Sequence, residues 1–151
     1  MPHTGTAPLD PARPGTVGLH GEITHFYARQ MQALDDGRTD DWARTFTEDG
    51  VFLLHGGHDR AEGRPALAAS SAKARAALAE QGVTHRHWLG MLTVDPRPDG
   101  SVVARCYALV VATRLGGTPA LHRSTVCEDV LVRDGDAWLV RHRQVSRDDL
   151  A

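Results

Sequence analysis

Nine histidines in 151 residues supply the chain with imidazole, the side chain best able to take up and release a proton near neutral pH. Two of them stand in HRHWLGML, where strand alternation puts His85, His87, Leu89 and Met91 on one face and Arg86 and Trp88 on the other. If the first face is concave, His87 can serve as a general acid/base, with a carboxylate orienting its ring and stabilising the imidazolium. The competing reading is a histidine hydrogen-bonded at the sheet surface.

Asp35 ends an apolar-periodic segment just before Asp36 and Gly37, so it is either the carboxylate that pairs with such a histidine or an ordinary turn residue. Tyr107, mid-strand in RCYALVV, can donate a phenolic hydrogen bond to a carbonyl oxygen that gains charge on enolisation, or it can fill the core. His55 and His58 flank a glycine pair and resemble a metal pair only in part, since further ligands would have to come from elsewhere. Glu128 and Asp129 adjoin on one strand and must face opposite ways, so one of them is a candidate for burial and pairing. No phosphate loop, dinucleotide fingerprint or nucleophile elbow occurs, and no cofactor and no bound metal are expected.

These residues need elements to hold them. Leu19, Ile23, Phe26, Tyr27, Met31 and Leu34 recur at three- and four-residue steps, which predicts an amphipathic helix ending at Asp35-Asp36-Gly37. Thr39 or Asp40 can cap a short second helix carrying Trp42 and Phe46 as core residues. EDG at 48–50 leads into a strand through VFLLH, GGHDRAEG reads as a loop, and Pro65 opens an alanine-rich third helix that stops before Gly82. Four long antiparallel strands follow, separated by turn signals at PRPDG, LGGTP and DGD. Helices first and a meander afterwards predict an α+β fold with the helices on one face of the sheet.

Residues 1–17 carry four of the eight prolines and are expected to form a flexible lead-in to one domain spanning 18–151. The balance of 41% hydrophobic and 24% charged residues is that of a globular chain. A net charge of -2 gives no electrostatic footprint for nucleic acid. No apolar run approaches the roughly 20 residues that span a bilayer, and the N-terminus lacks a signal peptide's apolar centre, so a cytoplasmic location away from membranes is expected. Cys106 and Cys127, on different predicted strands, read as buried free thiols.

The order LDDGRTDDW, FTEDGVF, EGRPAL, RHWLGML and DGDAWLVRHRQV resembles the nuclear transport factor 2-like superfamily over roughly residues 20–148. Within it the chain looks like the SnoaL-like branch, which includes scytalone dehydratase, polyketide cyclases and the β subunits of ring-hydroxylating dioxygenases. It looks most like accessory proteins of aromatic polyketide pathways. The resemblance implies a cone-shaped, curved, mainly antiparallel sheet packed on three N-terminal helices.

HRHWLGML is similar to the strand on which scytalone dehydratase carries a catalytic histidine, and the matching residue is His87. Counting back from Trp138, His122 falls near that enzyme's second pocket histidine, although its place beside a turn also suits a solvated side chain. Asp35 or Asp36 matches the dehydratase aspartate after a two-residue gap, but Leu34 stands where that enzyme has a tyrosine. The same turn in dioxygenase β subunits is structural.

The expectation is a cofactor-free cyclase or dehydratase acting on an aromatic polyketide intermediate, with His87 moving a proton, Asp35 and His122 assisting and Tyr107 as an oxygen-side donor. The alternative is a non-catalytic partner or small-molecule-binding protein resembling a dioxygenase β subunit. The family's habit of dimerising through the open sheet face implies a homodimer with Arg105, Arg141 and Arg143 in its interface.

Overall fold

The structure, a computed structural model, describes residues 11, 15–55, 57 and 59–150. His58 and most of the segment expected to be a lead-in lie outside these residues. Helix α1 (Thr16–Asp35) starts earlier than the apolar periodicity suggests, after Gly15 in a left-handed conformation with φ 86°. Its buried stripe of Ile23, Tyr27, Gln30 and Met31 follows the i, i+4, i+7, i+8 spacing of one helix face. Gly37, at φ 76°, ends it, and the Arg38 amide returns to the Ala33 carbonyl at 2.9 Å, satisfying a terminal acceptor.

Helix α2 (Thr39–Ala43) has Arg38 at its N-cap and no side-chain cap, so neither Thr39 nor Asp40 caps it. The Arg38 carbonyl already accepts the Trp42 amide at 3.0 Å, which brings Thr39 inside the helix. Strand β1 (Phe46–Leu54) and helix α3 (Arg64–Gln81) follow, the helix opening with Pro65 in its first turn and stopping at Gly82 with φ 64°. The stretch expected to be a loop contains β2 (Asp59–Glu62), which pairs antiparallel with β1 as a short edge strand.

Strands β3 (Val83–Pro96), β4 (Val102–Arg114), β5 (Ala120–Asp134) and β6 (Ala137–Arg147) form the meander. The open six-stranded sheet has the order β2-β1-β6-β5-β4-β3. All its pairings are antiparallel except β1 with β6, so the α+β fold with a mainly antiparallel sheet is observed.

Register shifts fall at Gly90/Thr93, Val110/Val111, Val130/Leu131 and Phe46/Val51. Each bends its strand and increases the local twist, and together they curve the sheet around the helices. The concave side and the helix layer enclose a core that includes Ile23, Trp42, Phe46, Leu67, Leu131 and Val140. The Trp42 and Phe46 rings meet edge-on, with centroids 5.0 Å apart, in the core role the sequence suggests. Cys106 and Cys127 are buried free thiols directly opposite each other on β4 and β5.

Candidate active site

The last turn of α1 leans over the concave face of β3, and there Asp35 meets His87. The Asp35 side chain is only 7% exposed because the helix ends against the sheet. One carboxylate oxygen lies 2.6 Å from His87 Nδ1, and the other accepts the His87 backbone N–H at 3.0 Å. The same aspartate therefore grips both the ring and the backbone of its partner. Arg75 of α3 donates to the Asp35 carbonyl at 2.5 Å, tying the helix end from a third element. With a carboxylate at Nδ1, that nitrogen carries the proton in the neutral ring and Nε2 keeps a free lone pair.

This pair forms part of the wall of a cavity of about 380 Å³, within the size range of small-molecule sites. Met31, Leu34, Phe52, Leu67, Leu89 and Val110 give it an apolar lining. Its polar groups include Asp35, His85, His87, His122, Arg123 and Arg143. His85 and His122 lie against one another with ring centroids 4.9 Å apart. Burial lowers the His85 pKa from its ordinary value, and the neighbouring His122 and His87 lower it further. His122 is exposed because it is the extra residue where β5 bulges against Val110 and Val111, which sets it at the cavity rim.

The structure thus brings His87, Asp35 and His122 to one cavity and does not bring Tyr107 there. Cys106 and Ala108 point inward, so Tyr107 points outward by alternation; it is 49% exposed, with the Arg105 guanidinium 6.0 Å from its ring centroid. It is neither a pocket donor nor a core residue. Met91 also leaves the face it was assigned: the bulge gives it φ 54° and turns it outward at 76% exposure. Asp36 stays at the surface near Arg38 and Arg86.

Arg143 is the largest departure. Expected in an interface with Arg105 and Arg141, it is 3% exposed and forms a buried ion pair with Asp129 at 2.7 Å. Tyr27 donates to the same carboxylate at 2.6 Å, and burial together with the Asp129 charge pushes its phenol pKa up. Neither this network nor the pocket role of His85 was assigned from the sequence. The adjacent Glu128-Asp129 pair was the one available signal, since only one of the two could face inward. Among the described residues no group of three or more His, Cys, Asp or Glu side chains could hold a metal ion, and no helix is long and apolar enough to cross a membrane.

The profile of the SnoaL-like domain family matches residues 17–144. The chain belongs to this family. A comparison with curated protein sequences finds no match. Among solved structures, this SnoaL-like chain is similar to ActVI-ORFA from Streptomyces coelicolor, at 32% identity and TM-score 0.81 over 88% of this chain and 99% of that one. It is similar to Aln2 from a Streptomyces species, at 34% identity and TM-score 0.80 over 93% and 96% of the two chains. A protein from Catenulispora acidiphila in complex with S-DNPA shares 37% identity, with TM-score 0.78 over 88% and 96%. The cone-type α+β architecture of the nuclear transport factor 2-like superfamily is thereby shown for this chain.

Proposed function

We propose that this SnoaL-like protein is a cofactor-free cyclase or dehydratase that acts on an aromatic polyketide intermediate, with His87 as general acid/base. The observation that carries the reading is the 2.6 Å contact between Asp35 and His87 Nδ1 in the wall of an apolar cavity. Asp35 holds the ring in one tautomer and stabilises the imidazolium, while Nε2 remains for the substrate. In the dehydrating form of the reaction, Nε2 takes the proton from the carbon beside a carbonyl, and the electron pair moves onto the carbonyl oxygen. The enolate then expels the β-hydroxyl, which leaves as water with the proton returned by the imidazolium. In ring closure the same nitrogen takes the proton of a hydroxyl as that oxygen bonds to a carbonyl carbon; the carbonyl π electrons move onto its oxygen, and the imidazolium returns the proton there. His122 at the rim assists proton exchange with solvent.

The similarity to a protein that holds S-DNPA supports a small aromatic molecule as the occupant. The test is the metabolite profile of a strain lacking the gene, complemented with wild type or with His87→Ala. Wild type alone is expected to restore the product, with a precursor that has not lost water or closed its ring accumulating otherwise. Equal restoration by a correctly folded His87→Ala would replace catalysis with binding or partnering.

A second reading concerns the outer face of the sheet, where Trp88, Tyr107 and Leu121 are 72%, 49% and 62% exposed. Register puts Trp88 beside Leu109 and Tyr107 beside Val126, so these side chains form one patch. A second copy of the chain covers it, forming the homodimer. Trp88→Glu is expected to convert a dimer to a monomer in light scattering; a wild type that is monomeric at high concentration would end this reading. The net charge of -2 supports a small-molecule ligand over nucleic acid, and we propose that the protein works in the cytoplasm.

A further inference from the structure

Arg143 holds a hydrogen-bond donor that the buried network does not use. Its guanidinium sits between the rings of Tyr27 and Phe46, 5.5 and 5.6 Å from their centroids. Nε donates to one Asp129 oxygen at 2.9 Å and Nη2 to the other at 2.7 Å. The second Nη2 hydrogen goes to Gln30 Oε1 at 2.8 Å. The Gln30 amide is itself committed to Thr45 Oγ1 at 2.7 Å.

Asp129 has no capacity left. One oxygen also accepts the Cys127 thiol at 3.5 Å and the other the Tyr27 hydroxyl. Nη1, with its two hydrogens, has no partner among the described residues. Nor is it sealed away: the buried side-chain nitrogens and oxygens left without a partner among the described residues are Trp42 Nε1 and Trp138 Nε1. Arg143 also lines the cavity, together with Cys127, Thr125 and Val145.

We infer that Arg143 Nη1 is a specificity-determining anchor of the cavity, donating to a carbonyl or enolate oxygen on the ligand's aromatic body. The inference rests on the proposed function for the kind of occupant, and it locates the recognised oxygen. Charge balance selects the oxygen. Asp129 already neutralises Arg143, so a carboxylate added there would leave net negative charge in a mostly apolar cavity, a costly arrangement. A carbonyl adds no charge, and an oxygen that becomes negative only as the substrate enolises receives its strongest hydrogen bond at that moment. Burial opposes the Arg143 charge, but the adjacent Asp129 more than offsets this and raises the guanidinium pKa above its ordinary value. The donor is also held in place before the ligand arrives, which reduces the ordering cost of binding.

The experiment uses two bicyclic probes of nearly the same shape, 1-tetralone and tetralin, which differ by one carbonyl. In the wild-type protein labelled with ¹⁵N-arginine, the Arg143 Nη signals are expected to move with 1-tetralone and to stay in place with tetralin. In the paired variant Asp129→Asn, Arg143→Met, which removes both charges and leaves no orphaned carboxylate, 1-tetralone affinity is expected to fall about tenfold or more. Tetralin affinity should change less than about twofold, because tetralin has no oxygen to lose a hydrogen bond from Nη1 and its burial is apolar in both proteins. Arginine signals unmoved by 1-tetralone, or equal loss for both probes, would overturn the anchor. The wild-type spectra decide the matter even if the paired variant does not fold. Because the readout is binding, an anchor confirmed beside an inactive His87 assignment would point to sequestration, whereas turnover with no anchor would remove Arg143 alone.

Discussion

At the scale of single residues, Asp35 acts through the identity of the nitrogen it engages. A carboxylate beside Nδ1 only accepts, so the neutral ring must present Nε2 as its base. Asp35→Asn keeps the shape but can offer an amide N–H to Nδ1, which favours the opposite tautomer. The rate of product formation is expected to fall by roughly 10²–10⁴-fold, with thermal stability changing far less; an unchanged rate would deny His87 its role. His85 responds in the other direction, through stability. Its folded-state pKa lies below the ordinary value of 6.5 because burial, His122 and His87 all disfavour its charge. The unfolded chain therefore binds the proton more readily, and stability falls as pH drops through 6.5. His85→Gln is expected to flatten that acidic limb in denaturation curves recorded across pH, and an unaltered limb would show that another group sets it.

The elements show why part of this arrangement was legible in the sequence. Apolar periodicity located α1, and its last residue is the aspartate that reaches the sheet. Two-residue alternation put His85, His87 and Leu89 on one face, and all three line the cavity. Alternation failed at Met91 because bulges have no reliable composition in a single sequence. A non-glycine residue in the left-handed region gave no warning, and from there the even-numbered Leu92 and Val94 turn inward. Strand β2 is not legible in the sequence because four polar-rich residues in the glycine-bearing stretch GGHDRAEG look like a loop until β1 is present to pair with them. Met91 carries its own prediction. Its φ of 54° costs a non-glycine residue of order 1–3 kcal/mol, and its side chain is mostly in solvent. Met91→Gly removes that strain and adds about 0.5–1 kcal/mol of unfolded-state entropy cost, so stability in urea is expected to rise, by up to about 2 kcal/mol. A loss of stability would show that the Met91 side chain packs usefully against the outer face.

Across the whole molecule, the helix layer and the sheet share an apolar core that includes Ile23, Leu67 and Leu131, and a buried polar network joins them as well. Tyr27 and Gln30 of α1 reach Asp129 of β5 and Arg143 of β6, and Gln30 continues to Thr45 before β1. Replacing a buried ion pair with apolar residues is often neutral for stability, whereas removing one partner strands a charge. Asp129→Ala is accordingly expected to cost about 3–5 kcal/mol in chemical denaturation, because it orphans Arg143 and the Tyr27 hydroxyl together. The paired Asp129→Asn, Arg143→Met change should cost clearly less than the single one. That ordering separates two explanations for the network. If the paired variant is nearly as stable as wild type, cohesion between the layers does not require the charges, and their place beside the cavity becomes the reason to keep them. If it is as unstable as Asp129→Ala, the network is the joint that holds α1 onto the sheet, and through α1 it also holds Asp35 against His87.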